Sequence, residues 1–327
     1  MTTTTSTPSA SRRLLSFLAA PAVSPLIALL IAVIIFATQS DRFLTGRNFS
    51  LIVQQVMVVG TLAIGQTLII LTAGIDLSNG LISAVGGVVM TKLAVASGVN
   101  PVLAIFLGIL VCTAFGAANG LLITRLNLPP FIVTLGMLNI AFALVRIYST
   151  QTITGLPEIQ TILGRTFLVG TTAISYGSIL VFALYLLTWY VLQSTAFGRH
   201  IYAVGDDPEA ARLTGIPVKR VLLTVYTLAG ATYGIGALML VARTGVGDPQ
   251  AGQDANLESI TAVVLGGTSL FGGRGNIMGT LLGVLIVGVF RNGLQLTGVP
   301  SIYQVLITGV LVILAVAVDQ LSRRGRS

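Results

Sequence analysis

Long apolar runs separated by short polar breaks dominate the chain. A membrane-spanning helix needs about 20 mostly apolar residues. Ten segments meet or approach that requirement: 22–39, 51–73, 77–97, 101–124, 130–148, 174–193, 219–242, 256–271, 277–296 and 301–319. This pattern predicts an all-α polytopic membrane protein with about ten transmembrane helices. The eighth segment is the weakest, because it is short and runs into a glycine-rich stretch. The polar remainder divides the chain into an N-terminal tail over 1–21, disordered and cytoplasmic, one transmembrane domain over 22–319, and a cytoplasmic C-terminal tail over 320–327. The longest polar interruption is 194–218.

Composition agrees with the pattern. Of the 327 residues, 54% are hydrophobic and 9% charged, against about 25% charged in a typical soluble domain. So few charges cannot coat a water-facing globule, and disordered, collagenous and coiled-coil chains are never this apolar. The formal net charge is +8, yet the cations fall singly or in pairs between apolar runs and form no basic face for a nucleic acid. In a membrane protein they carry orientation information instead. With the N-terminus inside, the inner segments hold Arg12, Arg13, Arg125, Arg199, Arg212, Lys219, Arg220, Arg274, Arg323, Arg324 and Arg326, eleven of the eighteen cations. Both termini are therefore expected in the cytoplasm of a multi-pass membrane protein. Arg12-Arg13 is read as the flank of an uncleaved first helix, not as an export signal, because no soluble domain follows.

Several chemistries are excluded. One cysteine, Cys112, permits no intrachain disulfide, and one histidine, His200, rules out two-histidine metal sites. Neither Lys92 nor Lys219 follows a glycine, so no phosphate-binding loop exists, and glycine-rich 266–275 lacks a lysine. No cofactor and no covalent catalysis are expected, and any ATP must be hydrolysed by another polypeptide. Gly245-Val-Gly-Asp248 matches the pattern of intramembrane aspartyl proteases, but such chemistry needs a second carboxylate at the same depth. The small-residue pairs Gly116/Gly120, Gly230/Gly234 and Gly279/Gly283 suit close helix packing in lipid, or helices that slide during gating.

Within 194–218 a short helix has both ends marked. Asp207 suits the N-cap and Pro208 the first helical position, and Glu209 complements the positive end of the dipole. Gly215 suits a left-handed C-cap, and Pro217 stops continuation. So short a helix is unstable alone and must dock, through Ala210, Ala211 and Leu213, either on the protein's own inner face or on a partner.

The stretches Gly198–Gly205 and Glu209–Ile216 resemble the cytoplasmic loop of ribose-type sugar permeases, the membrane subunits of ABC importers. Ala73-Gly-Ile-Asp-Leu-Ser78 resembles a second signature of that family. Ala262–Leu270 continued by Gly272–Gly275 resembles a third, and Gly298–Gln304 matches a late segment. Two departures stand out: Asn79-Gly80-Leu81 replaces the family's usual Val-Gly-Ser, and Glu258 stands where Asp is usual. The resemblance implies a homodimeric or paired permease, a cytoplasmic ATP-binding subunit and a periplasmic sugar-binding protein. It makes 206–216 the coupling helix, with Gly205, Asp206, Asp207, Glu209, Ala210, Ala211, Leu213, Gly215 and Ile216 as coupling residues. It leaves ribose, fructose, xylose, arabinose, galactose and small polyols open as cargo.

Polar groups at membrane depth are functional candidates. Asp76 either caps an interface turn or belongs to a gate. Glu258 either compensates a helix dipole or contacts substrate at the outer mouth. Gln54, Gln66, Asn119 and Asn139 either bond between helices or line a sugar pathway, which needs neutral hydrogen-bonding groups. Few buried carboxylates are available to relay protons, which weighs against the alternative of an ion-coupled secondary transporter.

Overall fold

The computed structural model describes residues 23–324. The expected N-terminal tail over 1–21 lies outside the described residues, as do 325–327. The described chain is a helical bundle with one small β-hairpin. In order come α1 (Val23–Gln39), α2 (Gly46–Leu71), α3 (Asn79–Val95), α4 (Pro101–Arg125), α5 (Pro130–Tyr148) and the short α6 (Glu158–Thr161). The hairpin β1 (Thr166–Val169) and β2 (Thr172–Ser175) follows, pairing Thr166 with Ser175 and turning at Gly170-Thr171. Then come α7 (Tyr176–Ser194), α8 (Ala196–Asp206), α9 (Pro208–Leu213), α10 (Val218–Thr244), α11 (Ala255–Leu265), α12 (Ile277–Leu296) and α13 (Ser301–Arg324).

Six of the described helices, α2, α4, α5, α7, α10 and α12, are long and apolar enough to cross a membrane. Four shorter apolar helices, Pro25–Gln39, Asn79–Val95, Ala255–Leu265 and Ser301–Val310, complete the apolar set. Most bounds fall within two residues of the sequence reading. Three do not. α2 begins at Gly46, five residues early, because Thr45 caps it through a bond from Asn48 N (3.3 Å). α11 stops at Leu265, where Gly266 begins the loop. Eleven residues rise only about 16 Å, roughly half the apolar thickness of a bilayer. The last helix runs on through Arg324.

The small-residue pairs act in packing. Gly116 on α4 meets Gly230 on α10, and Gly234 lies against Ile109. Gly279 and Gly283 on α12 face Gly266 and Ala262. With no side chains between them the backbones approach directly, and dispersion between closely packed backbones holds the helices where lipid offers no hydrophobic drive. The main core is centred on α2, α3, α4 and α10, where Tyr185, Tyr226 and Tyr233 are fully buried.

α3 and α11 are both entered through non-helical backbone, over 72–78 and 245–254, much of it buried or half-buried. α2 closes in a Schellman turn: Gly74 N bonds Ile69 O (3.0 Å) and Ala73 N bonds Ile70 O (2.9 Å). Ala73 takes the left-handed position (φ 60°) that glycine usually fills. A left-handed alanine is unfavourable by about 1–2 kcal/mol, so the surrounding packing enforces the break.

Candidate functional site

The polar stretch 194–218 carries two helices where the sequence predicted one. Thr195 caps α8 through a bond from Gly198 N (3.2 Å). Gly198, Ile201, Val204 and Gly205 make its buried stripe. α9 has the caps its sequence predicts. The Asp207 carboxylate accepts from Glu209 N (2.9 Å) and Ala210 N (3.0 Å). At the other end Gly215 takes φ +88°, and Ile216 N and Gly215 N bond the carbonyls of Ala211 and Arg212 (both 3.0 Å). Ala211 is buried against the protein's own core and Ile216 is half-buried, whereas Asp206, Ala210 and Leu213 (74% exposed) face outward. Glu209 pairs with exposed Arg212 at 2.6 Å, and that hydrogen bond holds the Glu209 carboxyl below its ordinary pKa.

The C-terminal end of α8 meets the bundle backbone to backbone. A Cβ on Gly205 would overlap the Leu71 carbonyl oxygen at the end of α2. Gly273 N bonds that same oxygen (3.0 Å), and the Tyr202 hydroxyl donates to Gly275 O (3.0 Å). The end of α8, the end of α2 and the glycine loop after α11 therefore meet with no side chain between them. Tertiary packing fixes their relative positions.

Inside the bundle lies a neutral polar network. Asp76, fully buried, accepts from Ser78 N (2.7 Å) and Ser78 Oγ (2.5 Å). Asn119 Nδ2 donates to Ser78 Oγ (3.2 Å). Asn79 Nδ2 donates to Gln66 Oε1 (3.0 Å) and to Ser259 Oγ (2.8 Å), and Asn256 Nδ2 donates to Leu77 O (3.0 Å). These bonds tie the start of α3 to α2, α4 and α11. Gln66, Asp76 and Asn119, named from the sequence, therefore belong to one assembly. Its other members, Ser78, Asn79, Asn256 and Ser259, were missed. Asn79 was noticed as a departure from the family pattern, and it is the residue that links both sides.

Glu258 stands apart. It lies in the first turn of α11 and forms an ion pair with Arg291 of α12. Arg291 was not predicted, and no signal within its own apolar run marks it. Gln54 is half-buried on α2, and Asn139 is exposed on α5, donating to Leu135 O of its own helix (3.0 Å). Neither joins the network. Asp248 accepts from Gln250 N (2.8 Å) and so shapes the turn before α11.

The family described as "Branched-chain amino acid transport system / permease component" matches residues 48–316. The fructose import permease protein FrcC of Rhizobium meliloti is 46% identical over 93% of this chain and 86% of its own length. The ribose import permease protein RbsC of Bacillus subtilis is 40% identical, covering 91% and 92%. The L-arabinose ABC transporter permease protein AraH of Azospirillum brasilense is 36% identical, covering 91% and 88%. No solved structure matches the chain. The capped α9, the backbone junction at Gly205 and these matches over nearly the whole length lead to one assignment: the chain belongs to the family of inner-membrane permease subunits of ABC importers, transport components whose ATP is hydrolysed by separate subunits.

Proposed function

We propose that the chain carries a monosaccharide across the inner membrane, working as one of a pair of permeases with a cytoplasmic ATP-binding subunit and a periplasmic sugar-binding protein. The observation that carries the cargo class is the 46% identity to a fructose permease across 93% of the chain, with ribose and arabinose permeases beside it.

In this reading the ten apolar helices all lie in the membrane, α3 and α11 completing their passage through the non-helical stretches before them. The α8–α9 end and both termini face the cytoplasm, which agrees with the excess of Arg and Lys on that side. The exposed Ala210, Leu213 and Arg212 face of α9 docks on the ATP-binding subunit. Ala211 and Ile216 hold α9 to the permease. ATP binding in the partner displaces α9, and α8 moves with it. At Gly205 the displacement passes directly to the end of α2 and to the glycine loop. The first point adjoins the break before α3 and the second follows the C-terminal end of α11, so a single push reaches both short helices and switches the pathway between outward and inward access.

The test is substitution at α9. Gly215→Trp forces a bulky side chain into a left-handed position, and Glu209→Lys removes the partner of Arg212. Each is expected to lower ATP-driven uptake by at least about tenfold, within the usual range of coupling energies, with membrane insertion intact. Full ATP-driven uptake in both variants would refute the coupling assignment.

A further inference from the structure

A cavity of about 260 Å³ opens between α11, α12 and α13. Pockets for drug-sized ligands hold about 300–1,000 Å³, so this one suits a smaller solute. Its wall carries the Glu258–Arg291 pair, with Asp254, Thr261, Gln304 and Thr308 around it. The Glu258 side chain keeps only 15% of its surface and Arg291 keeps 52%. Phe290 and Leu294 supply an apolar side.

We propose that this cavity is the permease's own monosaccharide subsite, in which Glu258 and Arg291 hold sugar hydroxyls and Gln304 and Thr308 select among sugars. The idea rests on the monosaccharide reading given above. Three properties of the cavity support it. First, its charges are mutually compensated: Asp254 and Glu258 face Arg291, with Arg243 within electrostatic reach of Glu258 and Arg291. A balanced site offers a fixed counter-ion to neither an anion nor a cation. Second, each group type matches a hydroxyl. A carboxylate accepts from two hydroxyls, a guanidinium donates to oxygen lone pairs in a fixed fork, and an amide or hydroxyl does both. A hydroxyl bound between a carboxylate and a guanidinium uses both its hydrogen and its lone pairs. Third, sugars present one C–H-rich face, for which Phe290 and Leu294 provide a dry wall. A lipid tail would need no charged pair, and an inorganic ion would need no apolar side.

The site also explains why an ion pair persists at this place. A structural pair at membrane depth is usually no more stabilising than apolar packing of the same volume. A pair that opens to accept hydroxyls has a use that such packing lacks.

The test uses the complete transporter, with its ATP-binding subunit and sugar-binding protein, in proteoliposomes supplied with D-fructose or D-ribose. Glu258→Gln is expected to lower ATP-driven uptake at least about tenfold, as loss of one charge-assisted bond implies. Gln304→Leu and Thr308→Val introduce no charge and should change the fructose-to-ribose uptake ratio by about fivefold or more. A second readout needs no transport. Cys112 is fully buried, so Thr308→Cys places one accessible thiol in the cavity, and high fructose should slow its alkylation by a maleimide. Wild-type uptake of neither sugar would overturn the monosaccharide reading and this subsite with it. Normal wild-type uptake with all three variants within twofold of it, and no protection of the thiol, would overturn the subsite alone.

Discussion

The two interrupted helices α3 and α11 are built alike and used differently. Each begins after non-helical backbone, and the two starts touch: Gly80 lies against Gly252, and Asn79 bonds Ser259. Around the start of α3 the polar groups of the network are neutral or are a carboxylate held by a hydroxyl and an amide, and all are buried. Around α11 the charges of Glu258 and Arg291 border open space. Burial selects neutral hydrogen-bonding groups for a joint and rejects unpaired charge. A wall that meets solute can keep its charges, because the solute or water completes their bonds. In the proposed reading the contrast separates the fixed joint of the permease from the surface that handles cargo.

Three substitutions break or sharpen that contrast. The largest effect is expected at the joint itself. In Gly80→Val the new side chain overlaps the Gly252 carbonyl oxygen, a backbone atom that cannot give way. Overpacking of this kind destabilises by about 1–3 kcal/mol or more, so the variant should lose most of its monodisperse peak in detergent. Asn79→Val comes next. It restores the family's usual residue but strands the Gln66 side chain, and a buried unsatisfied group costs about 1–3 kcal/mol. Its melting temperature should fall by several degrees, with uptake reduced less than in Glu258→Gln. A larger loss of uptake in Asn79→Val than in Glu258→Gln would reverse the assignment of joint and cargo surface.

The smallest effect lies outside the bundle, at Glu209. Its carboxyl is held below the ordinary range by Arg212. The pair therefore contributes when pH is above the ordinary carboxylate range and is lost as pH falls through the lowered value. The difference in melting temperature between wild type and Glu209→Gln should be small and constant from about pH 6 to 8, and should shrink as pH falls below the ordinary carboxylate range.

The sequence was most legible where local chemistry decides structure. Asp207, Pro208 and Gly215 each have a single-residue preference, and all three took the predicted place. Apolar run length located the helices, because no other element satisfies its own backbone in lipid. Elements decided by tertiary contact were harder to read. α8 lies in the polar stretch where only one short helix was predicted; Gly198 and Gly205 disfavour helix, yet the spacing of Gly198, Ile201, Val204 and Gly205 makes a helical stripe. The strands of the hairpin are four residues each, too short for a periodic signal. The break at 72–78 depends on a left-handed alanine that only the packed neighbours enforce. Arg291 sits in an apolar run, and nothing near it in sequence announces its ion pair with Glu258.

The central claim is that this permease moves its cargo by displacement of α9 by an ATP-binding partner. Uptake of D-fructose and D-ribose into proteoliposomes, with and without that partner and ATP, tests it most directly. The account predicts uptake only with the ATP-binding subunit, its ATP and the sugar-binding protein all present. Uptake driven by an ion gradient with no ATP-binding subunit added would contradict it.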